Sequence, residues 1–192
     1  MTMPTNLKLT AVIGSLRSKS LTRAVFDQTR EALASRGASL TEVTVHDVPL
    51  YNGDIEDAGD PTSVIALKRA VERSDGLILF TPEYNGSVPA VTKNVVDWLS
   101  RPYGRSALTD TPVGIVAQSP GRGDAKGARA HLAVSVSGNS RFFFPETLGL
   151  RQSRAALESD DALDALARWS ERFVAFVATS RQLNPTSRLL GA

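Results

Sequence analysis

Cysteine is absent from this chain of 192 residues, which excludes disulfides, thiolate metal sites and a cysteine nucleophile. Histidine is nearly absent too. His46 and His131 are the only two, too few for a multi-histidine metal centre. No run approaches the ~20 apolar residues of a membrane-spanning helix, and Met1 to Thr10 lacks the apolar stretch of a signal peptide. The expected location is therefore the cytoplasm, with no membrane partner. An excess of charge of one sign is also missing: 22 Lys plus Arg stand against 20 Asp plus Glu, a net of +2. That near-neutral balance argues against nucleic acid, which calls for clustered basic residues. No Gly-x-Ser-x-Gly elbow occurs, so a serine hydrolase is poorly supported.

What is present reads as one α/β domain. The length suits a single domain, which at this size buries roughly 70% of the surface its unfolded chain exposes. Apolar β-branched runs alternate with segments of helical period. Strands are expected at Leu7 to Ile13, Ser39 to Val45, Gly76 to Thr81, Val113 to Ala117 and Phe142 to Phe144. The nearly all-apolar Gly76 to Thr81 suits a parallel strand buried on both faces. Helices are expected at Leu21 to Arg36, closed by Gly37, then after Thr62 as a cap, and at Asp124 to Val136 and Asp160 to Arg181. Another follows Pro89, where Val91, Val95, Trp98 and Leu99 fall at i, i+4, i+7 and i+8. His46 to Pro61 reads as a polar loop with turn signals at Asn52-Gly53 and Gly59-Asp60-Pro61. Five βα repeats imply a parallel sheet covered by helices on both faces. The fitting architecture is α/β, a flavodoxin-like three-layer sandwich with strand order 2-1-3-4-5. The domain is expected to span residues 1–183, with 184–192 as a flexible C-terminal tail.

In such sheets ligands bind beyond the carboxyl ends of the strands, where strand order reverses. The loop after the first strand reads Gly14-Ser15-Leu16-Arg17-Ser18-Lys19-Ser20 and runs straight into a helix. Free N–H groups and the helix dipole favour an anion there. Ser15, Ser18 and Ser20 add hydroxyls, and Arg17 adds a fork that matches phosphate oxygens. A pyrophosphate loop would carry Gly-x-Gly-x-x-Gly and a triphosphate loop Gly-Lys-Ser/Thr; neither is present, so a terminal monophosphate fits best. The loop after the third strand, Thr81-Pro82-Glu83-Tyr84-Asn85-Gly86-Ser87-Val88-Pro89, flanks the same switch point. Asn85-Gly86 can turn tightly and aim N–H groups inward. A ligand phosphorylated at the first loop can lay its ring system against the second.

The two loops together resemble the NADPH-dependent FMN reductase family, which includes chromate and quinone reductases and some azoreductases. Pro82, Glu83, Tyr84, Asn85, Ser87, Pro89, Lys93, Asn94, Asp97 and Trp98 match one family pattern, and Gly14, Ser15, Leu16, Arg17 and Ser20 match the other. The resemblance spans roughly Leu7 to Leu148. It implies that Ser15, Arg17 and Ser20, with Leu21 and Thr22 at the helix start, hold the phosphate of FMN. Pro82, Glu83, Tyr84, Asn85 and Gly86 would line the isoalloxazine, and Ser119, Pro120 and Gly121 would meet its other edge. Thr22 stands where the family often has Asn, a hydroxyl still able to contact phosphate. Gly86 replaces a bulky aromatic of some members and leaves room over the ring. Ala90 and Thr92 read as packing changes, and Lys126 stands where Gly is common, altering nucleotide access or simply facing water.

The implied activity is an oxidoreductase passing hydride from NADPH or NADH through FMN to a small-molecule electron acceptor: flavin, quinone, azo dye or metal oxyanion. The flavin carries the chemistry, so no catalytic side chain is required. The family also implies self-association as a homodimer or homotetramer. Two other readings remain: a flavodoxin-type electron carrier, which would ordinarily be strongly acidic, and a non-catalytic FMN-binding regulatory module. Four further signals carry less weight. Gly121 to Gly127 follows the fourth strand with the wrong spacing for a dinucleotide fingerprint, and reads as a flexible edge of the flavin pocket. His131 reads as a core or interface histidine on the buried side of its helix. Trp98 and Trp169 read as core or subunit contact. Arg101, Tyr103 and Arg105 could meet a neighbouring subunit, the NADPH phosphate, or only water.

Overall fold

The computed structural model of the protein describes residues 6–183; the tail expected at 184–192 lies outside them. Five parallel strands, β1 (Leu7–Ile13), β2 (Ala38–Glu42), β3 (Gly76–Pro82), β4 (Val113–Gln118) and β5 (Leu148–Leu150), form one sheet in the order β2-β1-β3-β4-β5. This is the expected 2-1-3-4-5 order. Seven helices connect and cover them: α1 (Leu21–Ala34), α2 (Gly53–Asp57), α3 (Thr62–Glu72), α4 (Ala90–Leu99), α5 (Lys126–Ser137), α6 (Ser153–Ala156) and α7 (Asp160–Leu183).

The apolar runs of the central strands follow from burial on both faces. Leu7, Leu9, Ala11 and Ile13 of β1, with Ile78 and Phe80 of β3, pack under α1 and α7. The alternate residues Val12, Leu77, Leu79, Val113 and Ile115 pack against α3, α4 and α5. Successive side chains of a strand point to opposite faces, so each central strand feeds two cores. Trp98 and Trp169 are both buried, as expected, and each indole N–H is satisfied by a carbonyl: Pro49 at 2.8 Å and Glu146 at 2.6 Å.

Several boundaries differ from the sequence reading. The fifth strand is Leu148–Leu150, paired with Val116 to Gln118, not Phe142 to Phe144. Phe143 makes only an isolated bridge with Val113, and Phe144 turns inward among Trp169, Phe173 and Phe176. An apolar aromatic triplet marks burial, which here comes from α7 for Phe144 and from the opposite core for Phe143. The loop from His46 holds the short helix α2, capped by Asn52, whose side chain accepts from the Asp54 N–H. Thr62 is not a cap: Pro61 occupies the cap position and Thr62 is the first helical residue. β2 ends at Glu42, although the Val43 N–H still reaches Ala11 O at 3.0 Å. α5 begins two residues late because Ala125 sits in the left-handed region at φ 54°.

Candidate functional site

The carboxyl ends of β1, β3 and β4 place three loops along one edge. Loop 1 leaves β1 at Gly14, whose N–H donates to Phe80 O at 2.7 Å. A Cβ on Gly14 would overlap the Thr92 hydroxyl and stand 2.9 Å from Phe80 O. Only glycine lets α4 and the end of β3 close against this point. Ser15 is buried, while Leu16, Arg17, Ser18 and Lys19 are exposed. Ser20 is the N-cap of α1, and its hydroxyl oxygen accepts from the Arg23 N–H at 3.1 Å.

Among the described residues, none of the backbone N–H groups from Ser15 to Thr22 donates to another protein atom. Such a run at the start of a fourteen-residue helix combines unengaged donors with the positive end of a dipole, the two features that favour an anion. Arg23 does not serve it. Its guanidinium forks onto Glu42 at 2.7 and 2.8 Å, and that carboxylate holds the Arg23 pKa above its ordinary value. Arg17 has no carboxylate within ion-pair reach among the described residues, so it is free to meet a phosphate. Thr22 behaves differently from its sequence reading. Its side chain is buried and its oxygen accepts from Gln118 Nε2 at 3.1 Å. Gln118 Oε1 in turn accepts from the Ser153 hydroxyl at 2.6 Å. Thr22 therefore offers a backbone N–H to this run, while its hydroxyl ties α1 to β4 and α6. Leu21 is half-buried at the first helical position.

Loop 3 is a two-residue hairpin. Tyr84 and Ser87 exchange N–H···O bonds of 2.9 Å in both directions, and Asn85 and Gly86 take φ of 50° and 72°. Positive φ at both central positions is the type I′ geometry that Asn-Gly favours. Pro82 is buried at the end of β3, and Tyr84, Asn85 and Gly86 are exposed. The Tyr84 side chain is half exposed to solvent. Glu83 has another task. Its Oε2 accepts from the Ala128 N–H at 3.0 Å, capping α5, whose own cap residue supplies no side chain. The sequence reading missed this role, because an acid in a loop carries no mark of which helix it will cap.

Two more ties bind the hairpin to α5. Ser87 Oγ lies 2.8 Å from His131 Nδ1, so His131 is exposed on the hairpin side of its helix rather than on the buried side. At Gly127 a Cβ would overlap the Gly86 carbonyl oxygen, so the helix meets the turn backbone to backbone.

Loop 4 turns its polar groups inward. Ser119 N–H donates to Leu150 O at 2.9 Å, and Ser119 O accepts from Ser153 N at 3.1 Å. Gly121 N–H donates to Ser119 Oγ at 3.2 Å, and Gly121 O accepts from Gln152 N at 2.7 Å. Pro120 has no N–H to offer. Ser119, Pro120 and Gly121 therefore stand beside the edge without free amides, whereas loop 1 presents them in a run. Arg101 is engaged away from this edge. Its Nε donates to Glu56 at 2.9 Å and its guanidinium lies over Tyr51. The Arg101 and Tyr51 hydrogen bonds, in that order, hold the Glu56 carboxyl below its ordinary range. Tyr103 and Arg105 are exposed.

A doubly wound sheet in the order β2-β1-β3-β4-β5, with a glycine-turned hairpin beyond β3, defines a flavodoxin-like protein. Residues 7–154 match the NADPH-dependent FMN reductase family, and the chain belongs to it: an oxidoreductase family that uses FMN and NAD(P)H and acts on small-molecule acceptors. A quinone reductase of Pseudomonas putida is 42% identical over 125 residues, covering 65% of this chain and 67% of that protein. A 2-hydroxy-1,4-benzoquinone reductase of Burkholderia is 30% identical over 185 residues, covering 91% and 98%. Among solved structures, a flavoenzyme NAD(P)H:(acceptor) oxidoreductase from Paracoccus denitrificans superposes with a TM-score of 0.79 at 28% identity, covering 91% of this chain and 98% of that one.

Proposed function

We propose that this protein binds FMN with its phosphate on the Ser15–Thr22 cradle and its ring along the Tyr84–Ser87 hairpin, and reduces a small-molecule acceptor with electrons from NAD(P)H. The observation that carries the reading is the unengaged run of backbone donors from Ser15 to Thr22, one strand away from the hairpin. Arg17 and the Ser15 and Ser20 hydroxyls supplement those donors at the phosphate. Pro82, Asn85 and Gly86 shape the ring side, and Tyr84 packs beside it. Glu83 acts through α5, holding the hairpin in place. Ser119, Pro120 and Gly121 bound the far edge by shape rather than by amide donors.

Bound FMN supplies an acceptor for the hydride at C4 of the nicotinamide and a donor for the two-electron reduction that follows. The protein orients both substrates, keeps one ring face open above Gly86, and needs no general base for the hydride step. Nothing projects within 4 Å of the position a Gly86 side chain would occupy, which leaves room for a nicotinamide or a flat acceptor. The cytoplasm is the proposed place of action; separately, no helix among the described residues is long and apolar enough to cross a membrane. It assembles with further copies of itself, a reading supported by the exposed Leu50, Tyr103 and Val134.

The test is the visible spectrum of the purified protein with FMN, before and after anaerobic NADPH. Bleaching of the flavin bands, followed by recovery on adding a quinone, supports the proposal. An FMN complex that NADPH leaves unbleached overturns it and points to a carrier or a regulatory module.

A further inference from the structure

A concave site opens beside loop 4. It is a cleft of about 450 Å³ lined by Arg122, Gly123, Asp124, Gly149 and Arg151, within the size range of small-molecule sites. Its two exposed arginines come from different elements and are fixed together by one backbone bond. Arg122 follows Gly121, and Arg151 precedes Gln152, whose N–H donates to Gly121 O at 2.7 Å. Neither guanidinium has a carboxylate within ion-pair reach among the described residues. The one acid in the wall, Asp124, is held by Arg129 through its carboxylate, while Arg129 Nε also donates to the Asp124 carbonyl at 3.0 Å. Arg129 is fixed further by Thr147, through the carbonyl at 3.2 Å and the hydroxyl at 3.1 Å. The local acid is thus neutralised by a third arginine, and the positive charges of Arg122 and Arg151 remain uncompensated.

The lining has no aromatic or aliphatic side chain to receive a base or a ring. It has two forks suited to the oxygens of a phosphomonoester. The phosphate of FMN is already provided for at loop 1. Arg151 follows β5, three inter-strand steps from β1 in the sheet order, roughly 14 Å at the usual strand spacing, so a phosphate held on loop 1 does not reach it. Loop 4 is the wall common to the flavin edge and the cleft. With a nicotinamide over the ring above Gly86, as proposed above, the adenosine half of its dinucleotide would lie within reach of that wall.

We infer that Arg122 and Arg151 form a subsite for the 2′-phosphate of NADPH, and that they set a preference for NADPH over NADH. The inference rests on the hydride-donor role assigned above. Nothing is formed or broken at this subsite; it contributes binding alone, so its loss raises KM without slowing the bound complex.

The direct test is calorimetric titration of the FMN-loaded protein with 2′,5′-ADP and, separately, with 5′-AMP. The wild type binds 2′,5′-ADP at least about tenfold more tightly, as charge-assisted contacts to one phosphate predict. In R122A/R151A the two nucleotides bind alike. The ratio of the KM for NADPH to the KM for NADH rises by about the same factor, with kcat at saturating NADPH retained. R122K/R151K, which keeps the charge but not the fork, recovers part of the preference. FMN content of each variant reports that it has folded. Equal wild-type affinity for the two nucleotides overturns the inference, and so does a rise in KM shared equally by NADPH and NADH. If neither dinucleotide reduces the flavin, the donor role fails, yet the comparison of 2′,5′-ADP with 5′-AMP still decides the subsite.

Discussion

Loop 1 and loop 4 leave the same edge of one sheet and treat their backbone in opposite ways. From Ser15 to Thr22 the N–H groups point away from the protein's own acceptors. In loop 4 the polar groups of Ser119 and Gly121 are bonded to Leu150, Gln152 and Ser153, or to each other. In the proposed reading the first loop is completed by an outside anion. The second is finished by the chain itself and works through shape and through the side chains it displays. Conformational cost explains the division. An unsatisfied amide is tolerable where water or a ligand replaces the missing partner, whereas a loop that must hold arginines in register gains from being tied down.

Breaking the frame that presents loop 1 has the largest expected effect. In Gly14→Val the new side chain drives into Thr92 and Phe80 O. About 3 kcal/mol of stability should be lost, with FMN binding, as read by urea denaturation and flavin fluorescence. Arg17→Ala leaves the loop standing and removes one charged contact. FMN affinity should fall by about 1.5–3 kcal/mol with the melting temperature unchanged, and an unchanged affinity would remove Arg17 from the phosphate site. Gln118→Leu acts from the other side of the comparison. It strands the hydroxyls of Thr22 and Ser153 and should cost about 2 kcal/mol in denaturant unfolding, chiefly by loosening α6 and loop 4.

Glu83→Ala is expected to be milder, about 1 kcal/mol for a lost helix cap. Its signature is faster hydrogen exchange at the Ala128 amide together with loosening of the Tyr84–Ser87 turn. The smallest effect lies away from the edge. The Glu56 carboxyl is held below its ordinary value, so its ionised form favours the folded state. That contribution is whole above the ordinary carboxylate range, near pH 4.3, and fades as pH falls through the lowered folded value. Glu56→Gln should therefore flatten the acid limb of the stability curve and leave FMN affinity at neutral pH untouched. A change in that affinity would show that the Tyr51–Glu56–Arg101 cluster reaches the site.

Much of this was legible in the residues. β1, β3 and β4 announced themselves as apolar runs because they are buried on both faces, and α4 through its clear stripe. α1 stops two residues earlier than its pattern suggested, with Ser35 as its C-cap, and Gly37 takes φ 73° just beyond it. The serine-rich turn was legible as a helix entry, and Ser20 caps α1 there. The misreadings share a cause: each depended on a distant partner. Leu148–Leu150 looks weak as a strand because Gly149 lies at its centre, yet Asp124 O and Arg129 press so closely there that a Cβ has no space. Thr22 looked available because its partner, Gln118, is 96 residues away in the chain. Glu83 looked like part of a ring wall because the helix end it caps lies 45 residues on. Local chemistry can nominate a side chain, but tertiary contacts decide which of its possible partners it takes.

The backbone contact between Gly127 and Gly86 couples two positions 41 residues apart that no side chain connects. No residue larger than glycine fits at 127 while the turn stands where it does. A homologue with a side chain there must have shifted, shortened or rebuilt its Asn-Gly hairpin, so substitutions at the two places should be inherited together. Swapping the turn alone between family members, as an engineer of acceptor range would first attempt, should then fail unless the opening of the facing helix is carried across with it.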